Sequence, residues 1–239
     1  MTRLTTCPDA ETVAQRAAAH VIAAIGRAIE QRGVAHVALS GGTTPGRTYE
    51  LLGAKPSEMA GLEVWFADER CVEPDDEESN FRLAKETLLG PAGIAPERAH
   101  RMLGELGPRE GAERYAAEIS EHLISDGGPP VLDLVVLGIG PDGHVASLFP
   151  GAGTLEAGER AVCLGVSDSP KPPPERITLS LAMLRAARGC LLLATGAGKA
   201  DAVDAMLGEP SSHVPASLLR RERLTVIVDD AAAPSGPPR

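Results

Sequence analysis

The sequence predicts an α/β fold in which helices cover both faces of an open, mostly parallel sheet. Several short segments are apolar at every position, which is typical of strands buried on both faces of a parallel sheet. They alternate along the chain with segments whose apolar residues recur every three or four positions, the spacing of amphipathic helices. We expect one large domain over residues 1–239, with a flexible tail at 231–239 that is rich in proline.

Six segments have the pattern of buried strands and six have the pattern of helices. The predicted strands are 34–39, 62–67, 131–139, 161–166, 190–195 and 224–228. The predicted helices are 11–31, 44–52, 79–89, 109–124, 179–185 and 200–207. The first helix is the clearest, because its apolar residues keep the helical spacing until Gly33, a residue type that commonly ends helices.

The charge of the chain restricts its partners. With 23 Lys and Arg against 33 Asp and Glu, the net charge is −10, which disfavours nucleic acids and anionic membranes. There is no apolar run of about 18 residues and no signal-peptide pattern, so we expect a cytoplasmic protein without a membrane partner. The four cysteines form no Cys-x-x-Cys pair and have no histidine at ligand spacing, so no metal site is predicted.

Ligands of open α/β sheets bind outside the carboxyl ends of the strands, and unusual residues cluster at these positions. The first cluster is Ser40-Gly41-Gly42-Thr43, between a predicted strand and a predicted helix. The glycines let a ligand approach the backbone, and the helix N-terminus offers N–H groups suited to phosphate. The alternative is a plain strand-to-helix turn.

A second cluster, Asp68-Glu69-Arg70, follows the next predicted strand. Its alternative is a solvated strand end with a surface ion pair, but its position favours a substrate site. Ser79 is expected to cap the following helix, which leaves Asn80 available for a substrate contact.

The strongest signal is the segment from Gly138 to His144, which follows the most apolar predicted strand. A histidine can accept a proton near neutral pH, and Asp142, two residues away, can orient it. A lone histidine is usually structural or merely exposed, yet the flanking glycines and the carboxylate favour a catalytic base.

Two cations complete the candidate site. Lys199 stands at the start of a predicted helix, where a positive charge is unfavourable unless an anion lies nearby. Arg176 offers a guanidinium that can bind a phosphate through two donors. For both residues the alternative is an ordinary surface cation.

Four segments, in this order, resemble the 6-phosphogluconolactonase family, and the similarity runs from about Val37 to about Ala233. They are SGGTTP at 40–45, WFADERCVEPDDEESNFRLA at 65–84, LGIGPDGHVASLFPG at 137–151, and KPPPERITLSL at 171–181 followed by TGAGKA at 195–200. The resemblance implies a fold of the glucosamine-6-phosphate deaminase type. It also implies hydrolysis of 6-phospho-D-glucono-1,5-lactone in the oxidative pentose phosphate pathway, without a metal or other cofactor.

The resemblance also implies roles for the candidate residues. His144 would activate water and then protonate the departing ring oxygen, while Asp142 would orient His144 or the water. Arg70 would stabilise the oxyanion or hold the lactone. The phosphate would be bound by Ser40, Gly41, Gly42, Thr43, Arg176 and Lys199. Asp68 and Asn80 are weaker candidates for contacts with sugar hydroxyls.

The sequence departs from the family pattern at a few positions. Val145 stands where threonine is commoner, which suggests an altered contact beside His144. Ala182 replaces the usual proline, Arg185 replaces the usual asparagine, and the last strand lacks the usual tryptophan; these changes concern packing.

Two other functions remain open at this point. A glucosamine-6-phosphate deaminase would use a similar Asp-Gly-His loop, but its pattern has Asp-Glu-Tyr where this chain has Asp68-Glu69-Arg70. A non-catalytic sugar-phosphate-binding regulator would need the phosphate site but not a base. The expected partner is a small-molecule substrate, with no obligate protein partner, and we expect a monomer.

Overall fold

The computed structural model describes residues 2–125 and 127–234. Its strands are β1 (Arg3–Cys7), β2 (Ala35–Leu39), β3 (Leu62–Phe66), β4 (Asp68–Arg70), β5 (Leu134–Gly138), β6 (Cys163–Val166), β7 (Arg176–Leu179), β8 (Cys190–Ala194) and β9 (Leu224–Asp229). Its α-helices are α1 (Ala10–Arg32), α2 (Thr43–Gly53), α3 (Asn80–Ala84), α4 (Gly107–His122), α5 (Leu181–Ala186) and α6 (Ala200–Leu207).

The main sheet has six strands in the order β1-β9-β8-β5-β2-β3, and every neighbouring pair is parallel. β8 is buried at all five positions, so both of its faces are covered by other parts of the chain. This arrangement confirms the predicted α/β class. It also explains the uninterrupted apolar runs, because a strand covered on both faces has no position that faces water.

A second, antiparallel sheet has the order β4-β7-β6. The segment 161–166 was expected to be a buried strand of the same type as the others, but it contributes β6 to this smaller sheet. β4 and β7 were not predicted as strands. β4 is a run of charges, and the first three residues of β7 were assigned to no element, with only Leu179 placed at the start of a helix. That helix begins only at Leu181, because Ser180 caps it by accepting a hydrogen bond from the Met183 N–H at 3.0 Å.

The first helix shows why this sequence folds locally as it does. Asp9 caps α1 by accepting a hydrogen bond from the Thr12 N–H at 2.7 Å, and Gly33 ends it with a positive φ of 79°. Its apolar stripe packs into the hydrophobic core beside the sheet; the buried residues are Val13, Ala14, Ala17, Ala18, Val21, Ile25 and Ala28. The predicted helix therefore exists and ends at the predicted glycine.

The described chain continues beyond the start of the predicted flexible tail. Ala232 is fully buried, and its N–H donates a hydrogen bond of 2.8 Å to the Asp229 carboxylate. Residues 235–239 of that tail lie outside the described residues. In the described ranges, none of the helices combines the length and the apolar character needed to cross a bilayer.

Candidate active site

A cavity of about 240 Å³ opens at the carboxyl ends of the central strands, as expected for an open α/β sheet. Apart from Asp142, the residues predicted for the site all line it: Ser40, Gly41, Gly42, Thr43, Asp68, Arg70, Asn80, His144, Arg176 and Lys199. The fold therefore brings together segments that are as much as 159 positions apart in sequence, from Ser40 to Lys199. Asp142 lies directly behind His144.

The turn after β2 is held open towards the cavity. The Tyr49 hydroxyl donates a hydrogen bond of 2.8 Å to the Ser40 carbonyl, and Gly42 has a φ of 107°, which favours glycine. A β-carbon on Gly41 would lie 1.9 Å from Asn80 Oδ1, so this position has no room for a side chain. Ser40 lines the cavity, and its buried hydroxyl has no hydrogen-bond partner among the described residues.

The three charges at 68–70 have three different environments. Glu69 is 2% exposed and accepts hydrogen bonds of 2.7 Å from the N–H groups of both Asn80 and Phe81, at the start of α3. Burial raises the pKa of Glu69, although these hydrogen bonds oppose the rise. Glu69 therefore anchors α3 beside the small sheet, and it does not line the cavity.

Asp68 is buried but reaches the cavity. Its carboxylate accepts a hydrogen bond of 2.8 Å from the Ser147 hydroxyl, and the Asn80 side-chain amide donates to its backbone carbonyl at 2.8 Å. The Asp68 carboxylate is also within 3.3 Å of the same amide nitrogen. Asp68 and Asn80 thus form a fixed polar wall of the cavity.

Arg70 extends along the cavity from the end of β4. One of its terminal nitrogens, Nη1, donates to the Glu78 carbonyl and lies 3.8 Å from a Glu78 carboxylate oxygen. Its Nε is buried and lacks a hydrogen-bond partner within residues 2–125 and 127–234. A buried donor that is left unpaired costs free energy.

The loop after β5 folds back so that His144 and Asp142 meet above Gly140. His144 Nδ1 lies 2.5 Å from Asp142 Oδ1, and the two side chains are 17% and 34% exposed. A β-carbon on Gly140 would lie 2.0 Å from His144 Nδ1 and 2.4 Å from Asp142 Oδ1. Glycine is therefore required at position 140 because the His144 and Asp142 side chains occupy the space that a side chain there would take.

The surroundings of His144 and Asp142 shift the pKa values of both side chains. Burial lowers the pKa of His144; Asp142 opposes this effect, and Lys171 adds to it. The pKa of Asp142 is also lowered on balance, because its contacts with His144 and Lys171 outweigh the opposing effect of burial. At neutral pH the imidazole is neutral and the carboxylate is ionised, which is the state that a general base requires.

The two predicted cations differ in what they contact. Lys199 Nζ donates a hydrogen bond of 2.7 Å to the Ile139 carbonyl, and burial lowers its pKa. Arg176 is 5% exposed, and its guanidinium donates to the carbonyls of Lys171, Pro172 and Pro173 at 3.0–3.2 Å. Arg176 lines the cavity, but much of its hydrogen-bonding capacity is used by this proline-rich segment.

Two features of the site were missed or misread in the sequence. Lys171 lines the cavity and contacts Asp142. The chain has only four lysines, and this rarity could have drawn attention to Lys171 in the sequence. Val145, expected to alter a contact beside His144, is fully buried in the core and does not line the cavity.

Comparison with known proteins agrees with this geometry. Residues 8–228 match the family model described as glucosamine-6-phosphate isomerases/6-phosphogluconolactonase. The chain belongs to this family. A relative within it, the 6-phosphogluconolactonase of Streptomyces coelicolor, is 38% identical over 97% of this chain and 93% of its own length.

Solved structures of the glucosamine-6-phosphate isomerase/6-phosphogluconolactonase family have the same fold. The 6-phosphogluconolactonase from Trypanosoma cruzi superposes with a TM-score of 0.86 at 25% identity, over 97% of this chain and 96% of that one. A monomeric glucosamine-6-phosphate deaminase superposes with a TM-score of 0.79 at 22% identity, over 97% and 98%. The second likeness concerns the fold alone.

Proposed function

We propose that this chain hydrolyses 6-phospho-D-glucono-1,5-lactone to 6-phospho-D-gluconate in the oxidative pentose phosphate pathway. The observation that carries the proposal is the pairing of His144 with Asp142 at the edge of a cavity that Arg70 and Lys199 also line. A base beside a group of cations suits a substrate that has an electrophilic carbonyl at one end and a phosphate at the other.

The 2.5 Å contact between His144 and Asp142 requires a proton between two atoms that would otherwise both be acceptors. That proton resides on Nδ1, which leaves the Nε2 lone pair free as the base. His144 Nε2 removes a proton from water as the oxygen attacks C1 of the lactone. The resulting imidazolium is stabilised by the Asp142 carboxylate.

Collapse of the tetrahedral intermediate breaks the bond between C1 and the ring oxygen. The imidazolium returns its proton to that oxygen, which becomes the C5 hydroxyl of the product. The new carboxylic acid loses its proton to solvent, so the enzyme ends the cycle in its starting state. Arg70, which lines the cavity, supplies the donor that stabilises the negative oxygen of the intermediate, a type of contact often worth several kcal/mol.

The phosphate binds at the turn after β2 and beside Lys199. The N-terminus of α2 has no side-chain cap, so its N–H groups are available to phosphate oxygens, and Ser40 lines the same cavity. Lys199 supplies the positive charge, and Arg176 contributes mainly by supporting the adjacent segment. Asp68 and Asn80 contact the sugar hydroxyls, which lie between the two ends of the substrate.

The enzyme acts as a cytoplasmic monomer on this small molecule. The small amount of exposed apolar surface supports a monomer. In the described ranges, the large apolar side chains with notable exposure are Leu106 at 37% and Ile124 at 77%, and they do not form a broad patch. Light scattering coupled to size exclusion tests the monomer directly. A dimer at micromolar concentration would contradict it.

The function is tested by offering the protein two substrates in parallel. With freshly prepared lactone, the protein should accelerate the loss of lactone above the spontaneous rate. With glucosamine 6-phosphate it should release no ammonia. The reverse pattern would identify a deaminase, and tight phosphosugar binding without turnover of either compound would identify a non-catalytic regulator.

A further inference from the structure

Lys171 lines the cavity and also contacts both Asp142 and His144. Its Nζ lies 3.3 Å from Asp142 Oδ1 and 3.3 Å from His144 Nδ1, across 29 and 27 positions of sequence. We propose that Lys171 is a positioning residue that shares Asp142 Oδ1 with His144 and so completes a Lys171–Asp142–His144 triad. This inference rests on the proposed function, since it assigns a role within the same reaction.

The hydrogen bonds allow only one arrangement of protons in this triad. The ammonium of Lys171 has donors only, so it cannot accept the Nδ1 proton of His144. Because Nδ1 already carries the proton shared with Asp142, it has no lone pair to offer Lys171. Lys171 therefore donates to Asp142 Oδ1, and this single carboxylate oxygen accepts from both the ammonium and the imidazole.

The charges around His144 show what Lys171 contributes. Asp142 on the same loop and Asp68 on β4 both raise the pKa of His144, while burial and Lys171 lower it. Lys199, Arg70 and Arg176 also line the cavity. Without a neighbouring cation, Asp142 would orient the imidazole but would also favour its protonation. Lys171 offsets that second effect and leaves the orientation intact.

The fold places Lys171 through its backbone. The Lys171 N–H donates to the Ser169 hydroxyl at 3.2 Å, and that hydroxyl donates to the Lys171 carbonyl at 2.8 Å. The Arg176 guanidinium holds the carbonyls of Lys171, Pro172 and Pro173 from the start of β7. In this arrangement Arg176 acts on His144 indirectly, by fixing the segment that presents Lys171.

A direct contact with substrate phosphate is the competing role for Lys171, because the side chain is 40% exposed and lines the cavity. The two roles make different predictions. If Lys171 binds the substrate phosphate, its replacement changes KM and leaves the titration of His144 in the free enzyme unchanged. A positioning residue changes that titration with no substrate present.

The test compares wild type with Lys171→Met, Lys171→Arg and, as a control, Lys85→Met, which removes an exposed lysine outside the cavity. The C–H resonances of the histidine rings are followed by NMR between about pH 5 and 8 in the substrate-free protein, the range in which histidines titrate. The His144 signal is assigned by its loss in His144→Gln. The pH dependence of kcat/KM is then measured on the same variants.

For Lys171→Met we expect the pKa of His144 to rise, with wild-type values in Lys171→Arg and in Lys85→Met. Below that pKa, kcat/KM of Lys171→Met should fall by roughly threefold to tenfold relative to wild type, while the plateau above it changes less, since one pKa unit corresponds to a factor of ten in protonation. An unchanged His144 titration in folded Lys171→Met overturns the proposal, and a raised KM in that variant would make Lys171 a substrate ligand. The NMR titration does not depend on turnover, so absence of lactonase activity in wild type would be recognised separately as failure of the proposed function.

Discussion

His144 Nδ1 lies 2.5 Å from Asp142 Oδ1, and this contact fixes which nitrogen of the ring can act as a base. With its proton on Nδ1, the imidazole keeps an unprotonated Nε2, and His144 lines the cavity. The same contact occupies the space above Gly140 and receives the ammonium of Lys171. One short hydrogen bond thus links the conformation of the loop to the protonation state of the site.

Replacement of Asp142 by asparagine should impair catalysis without unfolding the protein. The amide can present its NH₂ group to Nδ1, which would place the ring proton on Nε2 and block the base. We expect kcat to fall at least about tenfold, at the lower end of effects seen when acid–base groups are disturbed. Steady-state kinetics measure this, with circular dichroism as the check on folding. Wild-type kcat in a folded variant would show that Asp142 only shapes the turn.

A methyl group at position 140 should disturb the site more than the fold. The added β-carbon would collide with both His144 and Asp142, so Gly140→Ala should lose most of its kcat. The matched control is Gly26→Ala in α1, where the β-carbon meets no atom within 4 Å. That change should keep full activity and raise the free energy of unfolding by about 0.5–1 kcal/mol, the usual gain when alanine replaces glycine inside a helix. Equal activity of the two variants would contradict the geometry of the loop.

Lys199→Met should weaken substrate binding more than it slows the chemical step. Lys199 lines the same cavity as the α2 N-terminus, and it also donates a hydrogen bond to the Ile139 carbonyl, so a smaller effect on kcat is expected as well. We expect KM to rise at least about tenfold, since a hydrogen bond to a charged group contributes roughly 1.5–3 kcal/mol. Lys85→Met is again the control and should leave KM unchanged. If KM stays at the wild-type value in Lys199→Met, the phosphate binds elsewhere.

A second histidine should make stability depend on pH. His100 contacts Glu118 at 2.7 Å and Glu63 at 3.0 Å, and it stacks on Trp65 with ring centroids 3.9 Å apart. Burial opposes protonation of His100, but the two carboxylates outweigh it and raise its pKa. Because the folded pKa exceeds the unfolded value of about 6.5, the stabilisation is complete below that pH and is lost as pH rises through the folded pKa.

The test for His100 is the difference in unfolding free energy between wild type and His100→Gln. That difference cancels the contributions of the histidines that do not interact with His100, and it should shrink as the pH is raised above about 6.5. Trp65 is the single tryptophan, so its fluorescence reports both unfolding and the state of the stacked ring. A difference that is constant with pH would show that His100 does not change its protonation in this range.

The parallel core and the location of the site followed from local sequence patterns. Apolar runs predicted the strands, and rare residue types after those strands marked the cavity. Long-range contacts were not predictable in this way. β1 has a single large apolar residue, Leu4, and becomes a strand because it pairs with β9 at the other end of the chain.

The roles of several charged residues also depend on long-range contacts that local sequence patterns do not predict. Glu69 and Asp68 are adjacent and chemically alike, yet one caps α3 and the other reaches the cavity, because β4 pairs with β7 and alternate side chains point in opposite directions. Arg176 lines the cavity, and its predicted contact with phosphate stays a prediction; its guanidinium also donates to the segment that presents Lys171, which was not predicted. Both roles depend on a sheet that the sequence did not indicate.

Activation of water by His144 for attack on the lactone is tested by comparing lactone decay with wild type and with a variant that lacks the imidazole. The decay of freshly generated 6-phosphogluconolactone is followed by NMR at slightly acidic pH, with buffer alone, with wild type and with His144→Ala. Wild type should accelerate the decay far above the spontaneous rate, and His144→Ala should lose about 10² or more of kcat, the scale of general base removal, while it still binds 6-phosphogluconate. Decay at the wild-type rate in a folded His144→Ala variant would show that His144 is not the base.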